Sequence, residues 1–268
     1  MSRKLLEPAA RDQDGRFRNG SDYGRLGTSI VRPFMILWEP KLTAVKRILC
    51  LANSRKPQGR CVAGLELDGA RVVGWIRPIG SGAQEAVSER ERQYEDGSEP
   101  QVLDVIAIPL LYPQPRGHQK ENWILDPNSR WKKVGNIAPS QLRALADASG
   151  SLWKNGCHTY NGLHDCLPSE EADAADGSLK LIHLRHGLKL RVFTTGESFG
   201  NPKRRVQADF YFGGVQYNIT VTDPIIEGAY RDRAEGEYAL GASYLTISLG
   251  ERFRDGRCHK FVAAIIGA

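Results

Sequence analysis

The sequence predicts a mainly β fold: two consecutive five-stranded Greek-key barrels with short interrupting helices. Three features point to it. Short apolar runs fall into two successive groups, Gly-containing pairs sit between neighbouring runs as hairpin turns, and the long 3.6-period segments that link parallel strands are missing.

The first group opens with RILCLAN (47–53), RCVAGLEL (60–67) and ARVVGWIRP (70–78). The pair Asp68-Gly69 lies between the second and third of these, a strong two-residue hairpin signal, so the three runs form a meander. Residues 81–99 are polar and mostly acidic and read as a loop or a short exposed helix. LDVIAIPLL (103–111) and ENWILD (121–126) supply further strands. SQLRALADA (140–148) follows as a short amphipathic helix with Ser140 as its expected N-cap.

The acidic stretch PSEEADAADGS (168–178) reads as a linker to the second group. That group comprises LKLIHLR, LKLRVFTT, RRVQADFYF, VQYNITVT, YLTISLGE and CHKFVAAII, with Gly213-Gly214 as the hairpin between the third and fourth runs. In RRVQADFYF, Val206, Ala208, Phe210 and Phe212 share one face, and Gln207, Asp209 and Tyr211 the other, the period of a half-buried antiparallel strand. A helical turn or two is expected around DPIIEGAYRD (223–232). The domains are therefore read as 43–167 and 168–268, preceded by an irregular extension over 1–42. Methionine occurs only at Met1 and Met35, so residues 1–34 are expected to be dispensable for folding, with Met35 a candidate start.

A chain of 268 residues can bury a substantial core. Its 37 Lys and Arg against 31 Asp and Glu, a formal charge of +6, favour phosphate-rich partners. No apolar run approaches the roughly 20 residues of a membrane span, and residues 1–20 hold no hydrophobic segment of the secretory kind, so a cytoplasmic location without membrane contact is expected. Of five cysteines, Cys50, Cys61 and Cys258 lie in apolar strand-like runs, where a free thiol acts as a small hydrophobe, and no disulfide framework is implied.

Cys157, His158, His164 and Cys166 are the densest group of potential metal ligands. They lack a CxxC knuckle, and the adjacency of Cys157 and His158 strains a tetrahedral site, so a polar loop turning at Asn161-Gly162 is the expected reading, with no metal and no cofactor. No GxSxG, HExxH or phosphate-loop signature accompanies it. The basic segment is more informative: Lys180, Arg185, Lys189, Arg191, Lys203, Arg204 and Arg205 stand against Glu197 alone, with Phe193 and Phe199 interleaved. Cations that track phosphates and rings that stack bases are what single-stranded nucleic acid requires, although Phe193 could equally be core and the charges a solvated surface.

SRKPQGRCVAG, GWIRP, YEDG, LDVIAIPL, HQKENWILD, LWKNG, YNITVTDP, LTISLGE and CHKFVAAII, in this order from about Lys46 to the C-terminus, resemble the dual OB domain family of bacterial proteins with two consecutive OB folds. The resemblance implies two OB barrels and a nucleic-acid or nucleotide binding or sensing role in prokaryotic conflict or defence. Carried over by position, its recurrent polar residues look like Ser54, Lys56, Arg60, Trp75, Arg77, Gln119, Glu121 and Asn122, then Thr222, Asp223, Ser248 and Lys260. Where the family shows an Asn-Asp-Arg element after LWKNG, this chain reads Leu163-His164-Asp165-Cys166.

An OB ligand commonly lies across strands 2 and 3, which would bring Lys56, Arg60 and Arg77 to one rim, with Ser54, Gln119 and Asn122 offering hydrogen bonds. The alternative is that Arg60 and Arg77 pair with Glu121 and Asp104 to pin the barrel. The expected function is a non-enzymatic module for single-stranded DNA, RNA or a nucleotide, using that rim together with Lys203, Arg204 and Arg205. The alternatives are an enzyme acting on nucleic acid or nucleotides, with Lys56 and Glu121 as acid–base candidates, and a scaffold offering an OB face to an effector protein.

Overall fold

The computed structural model describes residues 43–147 and 150–268; the extension over 1–42 lies outside the described residues. The first sheet contains β1 (Ala44–Lys56), β2 (Gly59–Asp68), β3 (Arg71–Ile79), β4 (Asp104–Pro113), β5 (Asn122–Leu125) and β6 (Lys132–Asn136). It runs β1-β2-β3-β5-β4, and β4 returns to pair with β1, closing a ring in which only β3 and β5 are parallel. Ring closure satisfies the backbone groups that an open edge would leave to solvent. Ile48, Cys50, Val62, Ile76, Ile106 and Ile108 fill the barrel, and Trp131 and Tyr94 join the same core.

The second sheet holds β7 (Cys166–Pro168), β8 (Leu179–Leu184), β9 (Lys189–Thr195), β10 (Lys203–Phe212), β11 (Val215–Val221), β12 (Gly236–Ala239), β13 (Ser243–Arg252) and β14 (Arg257–Gly267). β8 and β9 are two halves of one strand, broken at residues 185–188, where Gly187 takes a φ of 82°. Counted as one strand they give the order of the first ring, β8/β9-β10-β11-β14-β13 and back to β8, again with a parallel third and fifth strand. Val206, Ala208 and Phe210 point into this barrel, as their alternation predicts, and meet Tyr217, Ile219, Leu245 and Val262. Gly213 and Gly214 form the β10–β11 turn with φ of 59° and 79°, the left-handed pair that a tight hairpin needs.

Several local readings shift. The first hairpin turns at Gly69 and Ala70, because Asp68 is already paired with Arg71. The helix expected over 140–148 is a 3-10 turn, Pro139–Ala144, flanked by Ala138 rather than capped by Ser140; the Gln141 side chain accepts from the Ala138 N–H at 3.0 Å. The acidic polar stretch before β4 contains α1 (Glu89–Arg92), closed by a capping box between Ser88 and Glu91. The stretch read as an acidic linker is partly built into the second barrel, as β7 and α2 (Ser169–Asp173), with Ser169 and Ala172 buried. The expectation of no disulfide is corrected: Cys157 and Cys166 are bonded and sit opposite each other in a short β-bridge. Cys50, Cys61 and Cys258 are free. Among the described residues no helix is long and apolar enough to cross a membrane.

The two barrels pack face to face. Leu49, Leu51, Leu65, Val105 and Leu142 of the first cluster with Leu181, Tyr244 and Ile266 of the second. Ala52 and Ala63 meet Leu179 and Ala263, and Trp75 packs against both groups. A bulge between Cys50 and Ala52 interrupts the β1 alternation, so Leu51 and Ala52 both join the seam. Opposite the bulge, Gly64 is required by space, since a Cβ there would run into the Leu49 carbonyl. A run such as ILCLA, apolar on both faces, is the signature of a strand buried on both sides.

Candidate nucleic-acid interface

The seam takes up most of the first-barrel rim. Arg77 is 4% exposed, with Nε donating to Asn122 Oδ1 at 2.7 Å and Nη2 lying 3.0 Å from Glu121 Oε1, close as an ion pair but off the hydrogen-bond axis. The Ser178 hydroxyl of the second barrel donates to the same carboxylate oxygen of Glu121. Gln119 and Asn122 are buried beside them, Asn122 Nδ2 donating to Gln119 Oε1 at 3.4 Å. Lys56 pairs with Glu251 at 2.8 Å, and its neighbour Arg55 forms a two-pronged pair with Glu227 at 2.7 and 2.9 Å. Ser54 is buried and donates to the Cys61 carbonyl at 3.4 Å.

Arg77, Gln119, Glu121 and Asn122 meet, with Ser178 of the second barrel against Glu121, whereas Lys56 and Ser54 are held apart from them, by Glu251 and by the Cys61 carbonyl. Arg77 and Glu121 form the pinning pair of the alternative reading, whereas Asp104 instead takes Lys133 at 2.5 Å and the Tyr94 hydroxyl at 2.9 Å. Arg60 is half-buried. Its backbone pairs with Val87, and the residue lines a cavity of about 90 Å³ with Asn53, Gln101 and Asp223.

The second barrel leaves the equivalent face open. Outward residues follow directly from the ladder register: Phe193 opposite Arg205, Arg191 opposite Gln207 and then Thr220, Lys189 opposite Asp209 and then Asn218, and Tyr211 opposite Gln216; of these Gln207 is covered by its neighbours, at 3% exposed. Residues 160–163 of the disulfide-closed loop border it, Leu163 pairing with Asn218 through N–H···O bonds of 3.1 and 3.0 Å. Between them lies an open groove of about 490 Å³ lined by Tyr160, Asn161, Arg191, Asp209, Gln216 and Asn218. Tyr160 and Phe199 project almost wholly into solvent and Tyr211 largely so. Arg191 lies 4.7 Å over the Phe193 ring, so Phe193 belongs to this surface and not to the core.

Lys203 and Arg205 alternate outward and their side chains have no partner among the described residues. Arg204, between them, points the other way. It is held by Glu235 at 2.8 Å, by Thr194 Oγ1 at 3.3 Å and by the carbonyls of Arg231 and Arg233. Lys189 is raised above its ordinary range by its bond to Glu237 at 2.9 Å.

Two rings of the same strand order, each with a parallel third and fifth strand, restrict the fold, and the sequence decides the family: residues 46–265 match the family model described as Dual OB-containing domain. The chain belongs to this dual OB family. No curated protein and no solved structure matches it. In dual OB terms, strands 1 to 3 of the first OB barrel carry the seam and strands 1 to 3 of the second carry the open groove. Asp209, Gln216, Asn218, Tyr160 and Asn161 were not among the expected site residues. The alternation of RRVQADFYF already put Asp209 opposite the core, but nothing local showed that this face stays uncovered.

The second-barrel polar positions are largely internal. Thr222 donates to the Val262 carbonyl at 3.3 Å, and Ser248 is buried in β13. Asp223 caps α3 (Pro224–Tyr230) and accepts from the Ile265 N–H at 3.0 Å; burial raises its pKa. The disulfide withdraws Cys157 and Cys166 from any metal, and His164 Nδ1 accepts from the Gly156 N–H at 2.9 Å. Lys260, 1% exposed, extends beneath the same loop, its ammonium 3.1 Å from the Lys154 carbonyl and 5.3 Å from the Tyr217 ring.

Burial pulls the Lys260 pKa down to about 8 against the opposing pull of Asp165. Between that value and about 10.4 the unfolded chain holds the extra proton, so this residue's contribution to stability rises with pH across the window. Denaturant unfolding of the wild type and Lys260→Met at pH 7 and pH 10.5 should show the wild type gaining on the variant by about 2 to 3 kcal/mol. A difference that does not change with pH would show that the ammonium is not held at a cost.

Proposed function

We propose that this dual OB protein binds single-stranded nucleic acid across the outward face of β9, β10 and β11. The observation that carries this reading is the asymmetry between the barrels: the strand face that OB folds commonly use is buried in the first and open in the second. On the open face, Arg191, Lys203 and Arg205 stand beside Phe193, Tyr211 and Tyr160. Such cations track phosphates, and such rings stack unpaired bases that a duplex keeps internal. Lys56 and Glu121, the acid–base candidates of the enzymatic alternative, are held by Glu251 and by Arg77 with Ser178. Nucleic-acid sensing in a prokaryotic defence system, read out by an effector protein, is the use we propose for this binding.

Fluorescence anisotropy with short single-stranded DNA and RNA tests the reading. Affinity should fall between about 50 and 200 mM salt, with log K dropping by roughly 0.7 per log unit of salt for each phosphate neutralised. Matching duplexes should bind more weakly. No binding at low salt, or binding indifferent to salt, would reject the proposal.

A further inference from the structure

The open face has one feature that phosphate binding does not explain: an acid at its centre. Asp209 sits in the middle of β10 and lines the groove, and no ion pair engages it among the described residues. Among the described residues its carboxylate accepts only from Gln216 Nε2, at 3.1 and 3.5 Å, and Gln216 is in turn fixed by the Tyr211 hydroxyl at 3.1 Å. A carboxylate repels a phosphate and can only accept, so it suits a ligand group that presents N–H donors. Directly across the ladder, buried Asn218 Oδ1 has no hydrogen-bond partner among the described residues, and the same holds for buried Gln207 Oε1 in the next row. In the groove itself the acceptor that stands open to a ligand is the Asp209 carboxylate.

From this juxtaposition, and resting on the single-strand reading above, we infer that the groove is a guanine-selective base pocket. Guanine alone among the common bases offers two adjacent donors, N1–H and N2–H, that one carboxylate accepts side by side; cytosine and adenine offer a single amino group and uracil or thymine a single N3–H. Asp209 takes N1–H and N2–H, one on each carboxylate oxygen. Tyr160 at the lip stacks on the base, and Arg191 lies where the adjoining phosphate passes. The groove volume of about 490 Å³ suits one nucleotide.

The test uses oligothymidine strands carrying one central guanine, inosine, adenine or cytosine, measured by anisotropy on the full chain. The guanine strand should bind roughly 5- to 100-fold more tightly than those with adenine or cytosine, with inosine, which lacks N2, in between. Asp209→Asn should bring the guanine strand to within about 2-fold of the others without weakening binding to plain oligothymidine, since a repulsive charge is removed. Lys203→Ala should weaken all strands alike and preserve the guanine ratio. Equal affinity for the four strands in the wild type, or a guanine preference that survives in Asp209→Asn, overturns the base pocket and leaves single-strand binding standing. Failure of the wild type to bind any strand at low salt overturns both.

Discussion

Arg77→Ala is expected to destabilise the 43–268 unit by about 3 to 5 kcal/mol, because the truncation strands a buried carboxylate. Glu121 is as deeply buried as Arg77, and its remaining partners in the second barrel are the hydroxyl and N–H of Ser178. In a protein of this size the loss corresponds to a fall in Tm of roughly 6 to 20 °C. The comparison that separates lost attraction from stranded charge is the double variant Arg77→Met/Glu121→Met. It removes both charges from the seam and should recover much of the single variant's deficit, since a buried ion pair replaced by apolar residues of similar size is often neutral. Oligonucleotide affinity of folded Arg77→Ala, measured well below its Tm, should match the wild type. An unchanged Tm with lost binding would return Arg77 to the ligand and show that the seam opens in solution.

The pair Lys203→Ala/Arg205→Ala is expected to weaken single-strand binding by about 10- to 100-fold near 50 mM salt and to flatten the salt dependence by roughly 1.4 log units per log unit. Arg204→Ala is the matched control, since all three cations are consecutive and of like charge. Its guanidinium holds β9, Glu235 and the loop after α3, so its removal should cost about 1 to 2 kcal/mol of stability and leave the salt slope unchanged. Equal slopes for the double variant and the wild type would assign Lys203 and Arg205 to the solvated surface. A slope that moves with Arg204 instead would mean that the strand contacts the α3 side of the barrel.

Much of this architecture is legible along the chain. The alternation in RRVQADFYF gives the inward and outward faces of β10, and Gly213-Gly214 gives its turn. The strands that escaped are short: KKVGN in β6 and Gly236–Ala239 in β12 are poor in apolar residues, and Cys166–Pro168 in β7 is three residues long, too few to show a period. Such edge strands are held by ladder bonds to a longer neighbour, and no local pattern announces them. The Cys157–Cys166 bond was hidden for a related reason: the two cysteines are nine residues apart across a polar loop, and their facing positions depend on the pairing of Cys166 in β7 with β14, which no local pattern announces.

By itself the sequence determined the two sets of strands, most of their order along the chain, the core faces and the basic, ring-bearing character of the 180–205 segment, because each is written in a period of two residues or in a turn pair. The tertiary structure alone decided which barrel face is covered. Leu49, Leu51 and Leu65 look the same in sequence whether they face a second barrel or a ligand, and Arg77 and Glu121 become a buried pair only when Ser178, more than fifty residues on, closes over them. Burial of a face is a property of what packs against it, and that partner is supplied by distant parts of the chain whose docking no local period encodes.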